Sequence, residues 1–464
     1  MLKRLHRLSL AAIGLITLAL AAGGSPARAD IPPHLGYGVS IAPHIDVPPG
    51  LLAELGADWV LVYDTDQVPQ FSKTLNVLYR TDVRGYPTDV SAWERGLADL
   101  ARQLKAEGVR AVAVGNEPNL VAEWGGQQPN PGQYADVLCR AYRVFKAAAP
   151  EIIIVSAGLA PTEDSPQGMN DFTFAARMLE AGAGSCFDAF GYHPYGFNQP
   201  PEADPYRNQY SFRRAERMYD LLSGFGIRDR QIWITEFGWV RNPQEDGVSC
   251  GDAGGFKDFQ WMTVSSSVQA DYTRRAFDFA DKNWPWAGPM FLWNLDWHMY
   301  NSSYEDMCSN LRYFSMLDPH GDPLPVFKAF AAMPKRLAYN GPQLGATVHD
   351  MVRVAEAGCA GLVDMGSFTV VNTGLSGTFS VDVQPANGPG VPLVVASTAT
   401  ALSGSEVSVV VDANGVKPGL YLLPINLRTT IGERTASYLI KAWLLLSYPT
   451  TPDCVSRFNL SPSQ

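Results

Sequence analysis

The stretch Ala111-Val112-Ala113-Val114-Gly115-Asn116-Glu117-Pro118-Asn119 begins as an unbroken apolar run, then passes into glycine, amide and acid. A second stretch, Ile232-Trp233-Ile234-Thr235-Glu236-Phe237-Gly238-Trp239, also carries an acid at the end of an apolar run. Short apolar runs bounded by turn formers read as strands buried on both faces, as in a parallel sheet covered by helices. Working outward, six further runs fit the pattern: Gly36–Ile41, Trp59–Tyr63, Asn76–Thr81, Ile152–Ala157, Ala189–His193 and Pro289–Leu295. The two opening stretches supply Ala111–Asn116 and Gln231–Glu236 as strands four and seven. Amphipathic helical patterns fall between them at Ser91–Glu107, Gln133–Ala149, Asp171–Ala181, Ser211–Phe225 and Gln269–Asn283, with Pro325–Leu337 after the eighth strand. Eight β–α alternations predict an α/β fold, a (β/α)8 TIM barrel over residues 30–340. A doubly wound open sheet is the alternative, but no glycine-rich phosphate loop supports it.

After Gly341 the helical period vanishes. Runs rich in Val, Thr, Ser and Leu follow at Gly366–Val371, Thr378–Val383, Pro392–Ser397, Glu406–Val411, Gly419–Leu427 and Thr435–Ser447, separated by Gly, Asn and Pro. Residues 341–464 are therefore expected to form a small antiparallel all-β sandwich. No polar linker precedes it, so the two domains should abut.

The whole chain has 464 residues, 46% hydrophobic and 18% charged, with a net charge of −10. That is too apolar for a disordered chain, and the acidic balance argues against a nucleic-acid partner. Lys3, Arg4 and Arg7 precede an apolar run from Leu8 to Ala22 and then Ala27-Arg28-Ala29. This is the pattern of a secretory signal peptide over residues 1–29, cut after Ala29. No other run is long enough for a membrane span. The protein is expected to be exported, without a membrane span, and monomeric. Six cysteines are compatible with disulfides in an oxidising compartment. Placement favours Cys250 with Cys308 and Cys359 with Cys454. Cys139 and Cys186 either pair or leave Cys139 as an inert buried thiol on its helix.

In a barrel of this type, chemistry sits at the carboxy-terminal ends of the strands. Glu117 and Glu236 stand at two such ends. A carboxylate pair in a cleft is the equipment of glycoside cleavage, one acid protonating the leaving oxygen and one carboxylate facing the anomeric carbon. Asn116-Glu117-Pro118 on strand four, with Thr235-Glu236-Phe237-Gly238-Trp239 on strand seven, resembles the signature of clan A glycoside hydrolases, and in particular families 5 and 39. The resemblance covers roughly residues 35–340. It implies a retaining double displacement without a cofactor on a β-linked glycan, with Glu117 as general acid/base and Glu236 as nucleophile. It further implies that Asn116 meets the sugar 2-hydroxyl. In Gly191-Tyr192-His193-Pro194-Tyr195-Gly196 it implies that Tyr195 orients the nucleophile and that His193 touches the sugar. In Phe291-Leu292-Trp293-Asn294 it makes Trp293 the stacking floor. The arginine of the family-5 pattern is absent from strand two, where Tyr63-Asp64 stand, and Arg80 on strand three is the candidate substitute. The carboxy-terminal region resembles the immunoglobulin-like domains appended to secreted bacterial carbohydrate-active enzymes.

Each residue also has a plainer reading. A lone glutamate at a strand end is more often an ion-pair partner, His193 a satisfied structural histidine, and Trp293 a core residue. Trp124 and Trp239 either line outer subsites or pack loops; Asp82 and Asp296 either hold sugar hydroxyls or are solvated. Gly247-Val248-Ser249-Cys250-Gly251 fits G-x-S-x-G but lies in a turn-rich loop, not a strand–turn–helix elbow. The seven histidines show no H-E-x-x-H and no spaced cluster, so no metal is expected. Two other functions use the same scaffold: a glycan-binding protein without turnover, and a transglycosylase in which a sugar replaces water.

Overall fold

The computed structural model describes residues 29–48, 50–251, 256, 259–297, 306–335, 344–372, 379–383, 392–431 and 434–460. The signal-peptide reading, apart from Ala29, and the boundary at 340/341 lie outside these residues.

Eight parallel strands are present: β1 Tyr37–Ser40, β2 Trp59–Val62, β3 Asn76–Thr81, β4 Ala111–Val114, β5 Ile153–Ser156, β6 Phe190–Tyr192, β7 Ile232–Phe237 and β8 Ala287–Leu292. They are ordered β5-β4-β3-β2-β1-β8-β7-β6. Parallel bridges Val155–Ala189 and Leu159–Tyr192 join β5 to β6, so the sheet closes on itself. The helices are α1 Leu51–Leu55, α2 Val68–Phe71, α3 Val90–Ala106, α4 Pro131–Ala148, α5 Asp171–Glu180, α6 Arg214–Gly224, α7 Ser266–Asn283 and α8 Pro325–Ala332. The (β/α)8 barrel expected from the apolar runs is the observed fold.

Alternation along the strands divides the core. Val60, Val62, Val112 and Val114 point outward to the helices, whereas Trp59, Leu61, Leu78, Ala111, Ala113, Trp233 and Phe291 fill the barrel. Trp59 meets Trp233 edge-on at 5.2 Å. Such rings fit because small residues face them: a Cβ at Gly288 would lie 2.3 Å from Trp233, and one at Gly38 2.4 Å from Phe291. Interiors packed to crystal density leave no slack for that methyl.

The carboxy-terminal region contains β9 Leu344–Ala346, β10 Asp350–Glu356, β11 Leu362–Asn372, β12 Phe379–Val383, β13 Leu393–Ala396, β14 Thr400–Ala401, β15 Glu406–Asp412, β16 Gly419–Ile431 and β17 Arg434–Ser447, then α9 Pro452–Leu460. Two sheets form, β9-β11-β15-β13 and β10-β17-β16-β12-β14, with a shared apolar core. The expected sandwich is present, with one correction. β10 runs parallel to β17 rather than antiparallel: its neighbours in sequence, β9 and β11, lie in the facing sheet, so no hairpin joins it to β17.

The sandwich docks on α6. Asp220 receives His349 Nε2 at 3.0 Å and Lys441 Nζ at 2.6 Å, while His349 Nδ1 meets Asp350. Burial pushes the His349 pKa down, but the hydrogen bonds its ring donates to two carboxylates outweigh this and hold it above the usual value. Arg228 donates to the Ala346 carbonyl at 2.6 Å and lies over the Tyr438 ring.

All six cysteines pair: Cys139–Cys186, Cys250–Cys308 and Cys359–Cys454. The open alternative for Cys139 resolves to a disulfide tying α4 to the turn before β6. Three disulfides mark a chain folded in an oxidising, non-cytoplasmic environment. No described helix is long and apolar enough to cross a membrane.

Candidate active site

The barrel places the acids of β4 and β7 at the same end. β7 reaches Glu236 through an irregularity in its pairing with β8: Ile234 pairs with Met290 and Phe237 with Leu292, so β7 spends three steps against two. Ile234 and Phe237 both pack outward against the helices although three positions apart. The extra residue is what turns Glu236 inward, as bulges beside active sites do. Glu117 stands two residues after Gly115 and adopts φ +36°, a region that non-glycine residues enter at a cost. Its N–H donates to the Gly158 carbonyl at 3.0 Å, and its own carbonyl accepts from Leu120 N–H at 2.8 Å.

Glu117, His193 and Glu236 each bring an atom within 4.8 Å of the other two. His193, almost wholly buried, donates from Nδ1 to Glu117 Oε1 at 2.9 Å and lies 3.8 Å from Glu236 Oε2. Its pKa is pulled down by burial, but the charges of Glu236 and Glu117 prevail and raise it. The Tyr195 hydroxyl donates to Glu236 Oε2 at 2.8 Å, and Arg80 Nη1 to Oε1 at 3.3 Å. Burial, then the nearby Glu236 charge, push the Tyr195 pKa well up, so the phenol stays a donor. Arg80 shares the inward face of β3 with Leu78, two residues earlier, which carries it across the barrel to Glu236. Its guanidinium lies 4.2 Å over the Tyr63 ring.

Trp293 is buried beside the pair, with Trp297 at 4.7 Å and Phe314 edge-on at 5.1 Å; its Nε1–H donates to the Tyr63 hydroxyl at 3.3 Å. Asn116 is half-buried, and its carbonyl oxygen has no hydrogen-bond partner. All seven residues singled out from the sequence therefore stand at this end of the barrel. Trp124 and Trp239 do not line it: both are fully buried packing residues. Asp82 is a solvated partner of Arg84.

Two contributors escaped the sequence reading. Tyr63, seen there only where an arginine was missing, links Arg80 to Trp293. Gly158 is the other, since a Cβ there would lie 2.0 Å from His193 Nε2 and 2.6 Å from Thr235 Oγ1. The inward parity of Tyr63 with Trp59 and Leu61 was a readable signal; Gly158 had none.

The Glu117–His193–Glu236 group has the donor types of a metal site, against the expectation that no histidine is so clustered. Its electrostatics oppose a cation, because Arg80 already sets a fixed positive charge 3.3 Å from Glu236.

The sequence matches no protein-family model and no curated protein. Among solved structures it is similar to a calcium-binding mutant of Bacteroides uniformis β-glucuronidase 2 (TM-score 0.44, 12% identity, 90% of this chain and 46% of that one). It is also similar to a GH128 subgroup II endo-β-1,3-glucanase from Sorangium cellulosum (TM-score 0.42, 20% identity, 65% of this chain and 99% of that one). A third is a glucosidase from Croceicoccus marinus (TM-score 0.46, 13% identity, 88% of this chain and 77% of that one). The chain spans about half the length of the glucuronidase. These structural neighbours are glycoside hydrolases.

Proposed function

We propose that the protein is a secreted, retaining glycoside hydrolase acting on a β-linked glycan. The carrying observation is the approach of the two carboxylates at the ends of β4 and β7, whose oxygens come within 4.8 Å. Retaining enzymes set their carboxyl groups about 5–5.5 Å apart, whereas inverting enzymes leave about 6.5–9.5 Å for a water. The partners differ in a way that divides the work. Glu236, held by the Arg80 guanidinium and the Tyr195 hydroxyl, is oriented to attack the anomeric carbon. Glu117 protonates the leaving oxygen as that bond breaks. Glu117, now a carboxylate, takes a proton from the water that displaces Glu236, and the sugar leaves with its configuration retained. His193 occupies one oxygen of Glu117 and leaves the other for the leaving group. The unpaired carbonyl of Asn116 is an acceptor suited to the sugar 2-hydroxyl, and Trp293 is the apolar floor. The disulfides and the amino-terminal pattern support secretion.

The test is product release from β-linked glucans, xylans and mannans by wild type, Glu117→Gln and Glu236→Gln. Loss of the acid/base should cost about 10²–10⁴-fold, and loss of the nucleophile at least as much. Rates for Glu236→Gln within about tenfold of wild type would sink the assignment. Proton NMR of the first product should show the β-anomer; an α-anomer would refute retention.

A further inference from the structure

Of the 11 tryptophans, Trp261 alone is exposed, at 50%; the others are buried or half-buried. It lies on the loop between β7 and α7, in a short 3-10 turn, Gln260–Met262, anchored by buried Met262. Its indole is stacked on Phe197, centroids 5.4 Å apart and planes 13° from parallel. Tyr210 stands beside both, 5.0 Å from Phe197 and 6.5 Å from Trp261. Phe197 sits at φ +51°, where a bulky side chain is a genuine outlier, and such strain concentrates at ligand clamps.

The platform borders the end of the barrel that carries Glu117 and Glu236. Phe197 follows Tyr195 by two residues, a reach of about 7 Å, and the Tyr195 hydroxyl is 2.8 Å from Glu236. Aromatic contacts run from Trp293 to Phe314 at 5.1 Å and on to Tyr195 at 5.5 Å, and Phe197 packs on the same apolar cluster. A pyranose ring offers an apolar C–H face and a hydroxylated edge, so a half-exposed indole suits it: the face stacks while the edge stays hydrated.

We propose that Trp261, backed by Phe197 and Tyr210, is the floor of an outer subsite binding a further pyranose unit of a β-linked chain. The protein is therefore built for oligosaccharides or polysaccharides rather than for single-sugar glycosides. The proposal rests on the glycosidase reading of Glu117 and Glu236.

The experiment titrates β-1,3- and β-1,4-linked glucohexaose, xylohexaose and mannohexaose into the full chain carrying Glu117→Gln and Glu236→Gln, by calorimetry. Trp261→Ala and Trp261→Phe are added in turn, and each single variant is also assayed with active carboxylates on nitrophenyl monoglycosides. For the hexaose that binds, Trp261→Ala should weaken affinity about tenfold and Trp261→Phe less than about threefold. Monoglycoside kcat/KM should stay within about twofold. Unchanged hexaose affinity in Trp261→Ala, equal losses on hexaose and monoglycoside, or no binding of any hexaose would overturn the subsite. A hexaose bound in a Trp261-dependent manner but not cut by wild type would instead refute the catalytic reading and leave the subsite standing.

Discussion

Replacing Gly158 with alanine adds one methyl group and tests the geometry of the site from behind. The backbone there lies outside the left-handed region, so alanine carries no conformational penalty and the effect isolates packing. The new Cβ would lie 2.0 Å from His193 Nε2, and real contacts of this kind need more than 3 Å, so the ring must retreat by about 1 Å. Its hydrogen bond to Glu117, now 2.9 Å, would stretch toward 4 Å and cease to be one. Overpacking of a filled core costs about 1–3 kcal/mol, a fall in barrel melting temperature of about 2–6 °C at roughly 2 °C per kcal/mol. A 1 Å displacement at a catalytic group can cost about 10²-fold in rate. Differential scanning calorimetry and kcat/KM on the best glycan measure both. An alanine variant that melts within 1 °C of wild type and keeps its rate would show that His193 is not fixed against Gly158 or does not position Glu117.

Two further outcomes concern the rest of the chain. His349, whose folded pKa is raised by Asp220 and Asp350, contributes stability that is fully present below its unfolded value of about 6.5 and lost as pH rises through the folded value. Asp220, half-buried and held below the usual carboxylate range by His349 and Lys441, contributes in the opposite sense, and its share is lost as pH falls through its lowered value. Melting temperatures between pH 5 and 9 should therefore decline for wild type relative to His349→Gln above neutrality; parallel curves would contradict the ion-pair account. The Cys250–Cys308 bridge closes a 58-residue separation, for which chain entropy gives about 4 kcal/mol. The double serine variant should melt lower, and an unchanged melting curve would show that the loops are held by packing alone.

The barrel was legible because its strands are buried on both faces and so read as uninterrupted apolar runs between amphipathic helices. In the sandwich, β10 was missed because Asp350, Arg353 and Glu356 interrupt its apolar residues, and its parallel pairing with β17 depends on a path through space that no local pattern records. α9 was missed as well, a single short helix after a run of strands. At the site, Glu117 and Glu236 announced themselves as acids at strand ends, and Arg80 as the candidate substitute for the arginine absent from strand two. The turning of Glu236 depends on a mismatch between residues of two strands 55 and 56 positions apart, and the need for glycine at 158 on a ring 35 residues later. Such requirements arise only when distant segments meet.

Helix α6 is gripped along its length. Near its start Arg214 is buried against Asp171, which also accepts the Tyr192 hydroxyl at 2.6 Å, one residue before His193; farther along, Asp220 takes His349 and Lys441 from the sandwich. The carboxy-terminal domain is thus one helix removed from the strand that carries His193. For anyone recombining modules, the seam is not at the chain junction. A barrel moved to another accessory domain would carry Asp220 and Arg228 with nothing opposite them, and a transplantable unit has to include both sides of that contact.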